Sequence, residues 1–128
     1  PRELLTMPDP VLDWGLNGEN VEYHPYWRNP YAVCEDKDVL VSLWRIGDDR
    51  VLIGVFNHDN KNTKDVSVSV DLDKLGLVPE LIWQEFIRIR DLYKRPDTPR
   101  TSLDFHARVL NVKELAPHEG RFVGIRRY

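Results

Sequence analysis

A chain of 128 residues has the length of one domain and is long enough to bury about two-thirds of the surface its unfolded form exposes. With 41% hydrophobic and 30% charged residues it has an ordinary globular composition, and no apolar run approaches the roughly 20 residues of a membrane helix. A net charge of -3, with both signs interspersed, leaves no basic stripe for nucleic acid, and the single Cys34 excludes an internal disulfide while leaving the compartment open.

In chain order, residues 1–37 differ from the rest. Pro8, Pro10, Pro25 and Pro30 interrupt regular structure, while Met7, Val11, Leu12, Trp14, Leu16, Tyr23, Tyr26, Trp27 and Tyr31 supply apolar mass. An irregular segment this aromatic has to lie against something. It reads as a strap packed over the body that follows, or as the connection from a preceding domain, and the start at Pro1 reads as the cut end of a longer polypeptide.

From Val39 the pattern changes. Val39–Ile46 and Val51–Asn57 are β-rich runs separated by Gly47-Asp48-Asp49-Arg50, which predicts an antiparallel hairpin. Apolar residues fall on both parities (Val39, Val41 and Leu43 against Leu40 and Trp44), so these strands are expected to be partly covered on both faces. Trp44 and Trp83 are assigned to the core. Val66-Ser-Val-Ser-Val70 alternates strictly, as a strand with one face on a core does. Asp73-Lys-Leu-Gly76 predicts one helical turn stopped by glycine. Strands are expected within Leu81–Leu92, Ser102–His106, Arg108–Val112 and Arg121–Arg126, with a loop forced by Pro96 and Pro99. The prediction is an all-β fold: a two-sheet antiparallel β-sandwich of about seven or eight strands over residues 38–128, with an irregular aromatic-rich N-terminal strap over 1–37.

Chemistry-bearing residues do not converge in this reading. A hydrolytic site needs two carboxylates held a fixed distance apart, one protonated and one ionised. The pairs Asp36/Asp38, Asp48/Asp49 and Asp71/Asp73 all fall in turns or strand ends, where acids cap amides or are solvated. His24, His58, His106 and His118 lack the close spacing of zinc ligands. The oxygen-rich stretch Asn57–Asn62 lacks the glycine of a calcium loop and puts Lys61 at a ligand position, so it reads as a turn. No phosphate-binding, dinucleotide or nucleophile-elbow motif occurs. The expectation is no catalytic residue, no metal and no cofactor. Trp14, Tyr23, Tyr26, Trp27, Arg28 and Tyr31 are the candidate site, since exposed rings pack on the C–H faces of sugars; the alternative is that they anchor the strap to the sandwich or to a neighbouring domain.

Three stretches carry a resemblance. Leu52-Ile-Gly-Val-Phe-Asn-His-Asp59, then Val66-Ser-Val-Ser-Val-Asp-Leu-Asp-Lys-Leu-Gly-Leu77, and the closing Leu115-Ala-Pro-His-Glu-Gly-Arg-Phe-Val-Gly-Ile125 together look like the C-terminal antiparallel β-sandwich of multidomain glycoside hydrolases. In enzymes similar to α-galactosidases and α-amylases this unit follows a (β/α)8 barrel. Tyr23-His-Pro-Tyr-Trp-Arg-Asn29 resembles the segment leading into such a domain in large bacterial glycosidases. In those families the catalytic carboxylates sit on the barrel, and this chain has no positions matching them. The resemblance implies an accessory unit whose partner is the upstream catalytic domain of the same polypeptide, with carbohydrate as the other candidate partner and neither nucleic acid nor membrane. A protein-interaction sandwich unrelated to sugars is the third reading. Fold analogy raises the prior of an activity without establishing it.

Overall fold

The structure is a computed structural model that describes residues 20–77, 81–85, 101–104 and 106–127. Among these residues nine strands form two antiparallel sheets. The first sheet has the order β1-β3-β4-β9-β6, from Val21–His24 (β1), Val39–Ile46 (β3), Arg50–Asn57 (β4), Gly120–Arg127 (β9) and Leu81–Glu85 (β6). The second has the order β2-β5-β8-β7, from Ala32–Cys34 (β2), Lys64–Val70 (β5), Val109–Leu115 (β8) and Thr101–Asp104 (β7). This is the predicted two-sheet β-sandwich.

The core follows from strand parity. On the first sheet Val39, Val41, Leu43, Val51, Ile53, Val55, Val123 and Ile125 turn inward; on the second Ala32, Val66, Val68, Val70, Leu110 and Val112 meet them, and Leu115 from the end of β8 joins the same cluster. Burying each such side chain contributes on the order of 1.5–3 kcal/mol. The predicted β3–β4 hairpin forms with Val41 opposite Val55 and Leu43 opposite Ile53, and closes through Gly47 at φ +60. After β5, Leu72, Leu75 and Leu77 plug the gap between the sheets at one end. The turn carrying them is the expected one: the Gly76 amide donates to Asp73 O and the Leu77 amide to Leu72 O, a closure that needs the left-handed conformation Gly76 adopts at φ +73.

The outer faces of the two sheets differ. On the second sheet Ser67, Ser69, Asn111 and Ser102 point to solvent, and Ser67 Oγ donates to Asn111 Oδ1 at 3.2 Å. On the first sheet Ile46, Leu52 and Phe122 are buried, with Val21 and Trp44 packed against them. Trp44 therefore belongs to this outer layer and not to the core between the sheets, because it pairs in register with outward-facing Tyr23 and Leu52. Gly54 makes room for this layer: a Cβ there would lie 3.2 Å from both the Trp44 and Phe122 rings.

The strap reading needs a correction over residues 20–37. Short strands form on either side of Pro25, β1 on the first sheet and β2 on the second, so this stretch crosses between the sheets and belongs to the sandwich. Pro25 and Pro30 both lie outside the strands, where no ladder hydrogen bond is lost. Tyr26–Arg28 form a 3-10 turn between them, closed by the Arg28 amide donating to Pro25 O at 2.8 Å. Asn29 pins the crossing: its side-chain amide donates to Val41 O at 3.0 Å, and its Oδ1 accepts from the Tyr31 and Ala32 amides, both at 3.1 Å. The boundary expected at residue 38 lies within this continuous body, while residues 1–19 fall outside those described.

Candidate binding surface

Among the described residues the large exposed hydrophobics are Tyr23 (50%), Tyr26 (49%), Trp27 (64%) and Val33 (55%), and all four lie in the eleven-residue crossing from the first sheet to the second. They belong to the two edge strands and the turn between them, with Tyr23 on the outer face of the first sheet and Val33, opposite Ser69, on that of the second. The rings are ordered by their neighbours. Tyr23 stacks on Trp44 with centroids 4.9 Å apart and planes at 23°, whereas Tyr26 and Trp27 meet edge to face at 4.9 Å and 88°. Such pairs add about 0.5–1.5 kcal/mol beyond their burial and hold the rings in fixed orientations. Arg28, also exposed, follows directly.

The sequence candidates therefore separate. Tyr26, Trp27 and Arg28 share the 3-10 turn, and Tyr23 lies on the outer face of the first sheet. Tyr31 instead packs against the core, meets His24 edge to face at 5.0 Å, and has the Arg45 guanidinium 6.0 Å from its ring centre. Trp14 lies outside the described residues, and the side chain of Trp83 likewise.

The end of the sandwich opposite the leucine plug gathers the polar groups. Lys64 Nζ lies 2.7 Å from Asp36, 3.6 Å from Asp59 and 3.8 Å from Asp38. The Lys61 and Asn62 amides both donate to Asp59 Oδ1, and the Asn62 side chain donates to Asp59 Oδ2. These hydrogen bonds, the Lys61 amide first, hold the Asp59 carboxyl down at about 2, and the Lys64 hydrogen bond lowers Asp36. A carboxylate held so firmly ionised is poorly suited to act as a general acid. Buried Asn57 joins the loops: its amide donates to Asn62 O and Leu115 O, and its Oδ1 accepts from the Asp59 amide.

Beside it, Glu119 and Arg121 are fully buried, a pair that sequence reasoning missed. Arg121 Nε donates to Glu119 Oε2 at 3.1 Å and Arg121 Nη2 to Glu114 O at 2.8 Å, while Glu119 Oε1 accepts from the Ala116 amide at 2.7 Å. The available signal was parity: Arg121 shares the inward face of β9 with Val123 and Ile125. Both groups are committed to closing the Pro117–Glu119 turn.

The other acidic pairs are also engaged locally. Asp49 meets Arg50 and Asp73 meets Arg108, while Asp71 Oδ1 accepts from the Lys74 amide. His58 and His118, distant in sequence, come together with ring centres 6.4 Å apart, each about as far from Phe56. Among the described residues no three of His, Cys, Asp or Glu are arranged to hold a metal ion. Half-buried Cys34 has its thiol pKa pushed up by burial, which suppresses the reactive thiolate.

An open hollow of about 590 Å³ lies beside the β3–β4 hairpin, lined by Asn20, Val21, Glu22, Arg45, Gly47 and Asp48. The surface chemistry of the described residues thus comprises an aromatic edge, this hollow and the closed polar end. No protein-family model, no curated protein and no solved structure matches the chain.

Proposed function

We propose that the chain is a non-catalytic accessory β-sandwich of a glycoside hydrolase-like polypeptide, packing through its aromatic edge on an upstream catalytic domain and stabilising it. The observation that carries this reading is the exposure of Tyr26 and Trp27, set edge to face on the turn that joins the two edge strands, with exposed Tyr23 in the strand before it and exposed Val33 in the strand after it. Aromatic side chains clustered at a solvent-exposed edge are the composition of an interface core rather than of a scattered surface. The sequence resemblance supplies the partner. The polar end supports the same reading, because its carboxylates are tied to Lys64, to backbone amides and to Arg121, not held apart across an open cleft.

The test compares the chain alone with the chain joined to the polypeptide encoded ahead of it. Trp27→Ala should leave the melting temperature of the isolated chain nearly unchanged and lower that of the joined protein by several degrees. An equal, small effect in both would sink the docking role.

A second reading is favoured by one observation. The Trp27 ring is the most exposed of these aromatics, is held by Tyr26 and is followed by Arg28, an arrangement suited to stacking a sugar ring while donating to its hydroxyls. On that reading the chain is a carbohydrate-binding module. Calorimetric titration with oligosaccharides, wild type against Trp27→Ala, separates the two: heat lost in the variant supports the module, and no heat in either leaves the packing role.

A further inference from the structure

Arg45 sits where a strand residue of its parity faces inward, yet among the described residues it has no carboxylate partner. Its register neighbour across β1 is Glu22, the natural partner for an ion pair. Glu22 instead accepts from His24 Nε2 at 2.6 Å. Among the described residues the Arg45 guanidinium has no hydrogen-bond or ion-pair partner and lies over the Tyr31 ring, 6.0 Å from its centre. A half-buried arginine whose five donors have no partner among the described residues, lying over a ring and lining a hollow, is a group placed for something outside the chain.

The lining narrows what that is. Glu22 and Asp48 contribute two negative charges against the one of Arg45, which disfavours a phosphate or other strong anion. Arg45 itself opposes a metal ion. Among the described residues Val21 is the one hydrocarbon side chain in the lining, which gives an apolar ligand little to bury against. What remains is a neutral molecule that both donates and accepts hydrogen bonds at several points: Arg45 donating, Asp48 accepting, and the Asn20 amide doing either. Vicinal hydroxyls have that character, and about 590 Å³ falls within the usual size of small-molecule sites. The walls are also held in place, since the Gly47 amide donates to Asn20 O at 2.8 Å and ties the hairpin to the start of β1.

We infer that the Arg45 hollow is a subsite for one neutral sugar ring, with Arg45 as its principal donor. It is separate from the Tyr26–Trp27 edge and does not depend on the docking role proposed above.

The experiment is ¹⁵N–¹H NMR of the whole chain titrated with methyl glycosides of glucose, galactose, mannose and xylose, in wild type, Arg45→Ala, Arg45→Lys and Trp27→Ala. Saturable shifts at the Asn20, Gly47 and Asp48 amides are expected with at least one sugar. These shifts should saturate about tenfold or more weakly in Arg45→Ala, and also in Arg45→Lys because the planar fork is lost, while Trp27→Ala should leave the shifts at these three amides as they are, whatever happens at residues 26–28. Unchanged amide positions away from the hollow verify that each variant is folded. Should Arg45→Ala prove misfolded, Asp48→Ala on the exposed turn replaces it and should weaken the same shifts. Shifts confined to residues 26–28 and abolished by Trp27→Ala would overturn the subsite and favour the edge as the sugar site. Absence of saturable shifts with every glycoside, or binding unaltered in Arg45→Ala, would overturn it as well, and neither outcome bears on the joined-protein comparison that tests docking.

Discussion

The two ends of the sandwich close by opposite means. At one, Leu72, Leu75 and Leu77 fill the gap between the sheets with hydrocarbon. At the other, Asn57, Glu119 and Arg121 are buried in a network whose members satisfy one another and the backbone, with Lys64 and its three aspartates as an outer layer. Among the described residues the buried Glu119–Arg121 pair and the aspartates around Lys64 lie at the polar end, and their hydrogen bonds are made within the chain. Arg45 and the exposed rings, away from that network, keep theirs for the outside. Whether a polar group has partners inside the chain, more than its chemical type, separates scaffold from site.

The sharpest way to break the comparison is Arg121→Ala. Removing the arginine strands the fully buried Glu119 carboxylate, and the cost should be about 3–5 kcal/mol by urea denaturation. Replacing both partners, Glu119→Leu with Arg121→Met, should restore most of that loss; a double variant as unstable as the single would show that the pair matters for more than mutual neutralisation. At the hydrocarbon end Leu75→Ala should cost about 2–5 kcal/mol, depending on how far the plug collapses. Asn57→Ala should cost about 1–3 kcal/mol, since Leu115 O and Asn62 O lose their donor.

Acidification should act through Asp59 and Asp36 at the polar end. The Asp59 pKa is held at about 2 in the fold against an ordinary 3.8, so its stabilising contribution is complete above pH 3.8 and is lost as the pH falls toward 2. Asp36 is lowered too and works in the same direction, whereas Lys64, raised by its Asp36 hydrogen bond, loses its contribution only as the pH climbs past 10.5. The fall in melting temperature between pH 4 and 2 should therefore be shallower in Asp59→Ala than in wild type, and the Leu75→Ala protein should show the wild-type slope. The smallest effect is expected for Arg45→Ala, within about 0.5 kcal/mol, because no hydrogen-bond partner among the described residues is orphaned. A loss of several kcal/mol there would make Arg45 structural and remove the contrast.

Much of this was legible in the residues. The β3–β4 hairpin and the strictly alternating β5 have a period-two signal long enough to read, and apolar residues on both parities of β3 correctly implied cover on both faces. β1 and β2 were not legible: at four and three residues they are too short to show alternation, and flanking prolines hid them. Trp44 was misplaced because hydrophobicity alone suggested the core, whereas its parity with Leu40 and Ser42 puts it on the outer face. The pairing of Asn57 with Leu115, fifty-eight residues on, and the capture of Glu22 by His24 depend on tertiary packing and on a choice between partners that spacing does not encode.

The most direct test of the account is an assay of the purified chain against a panel of aryl glycosides, following release of the aryl group. The account predicts release no faster than in buffer. Turnover that disappears in Asp59→Asn or Glu119→Gln while the fold persists would contradict it, because a carboxylate assigned here to closing the polar end would then be breaking bonds.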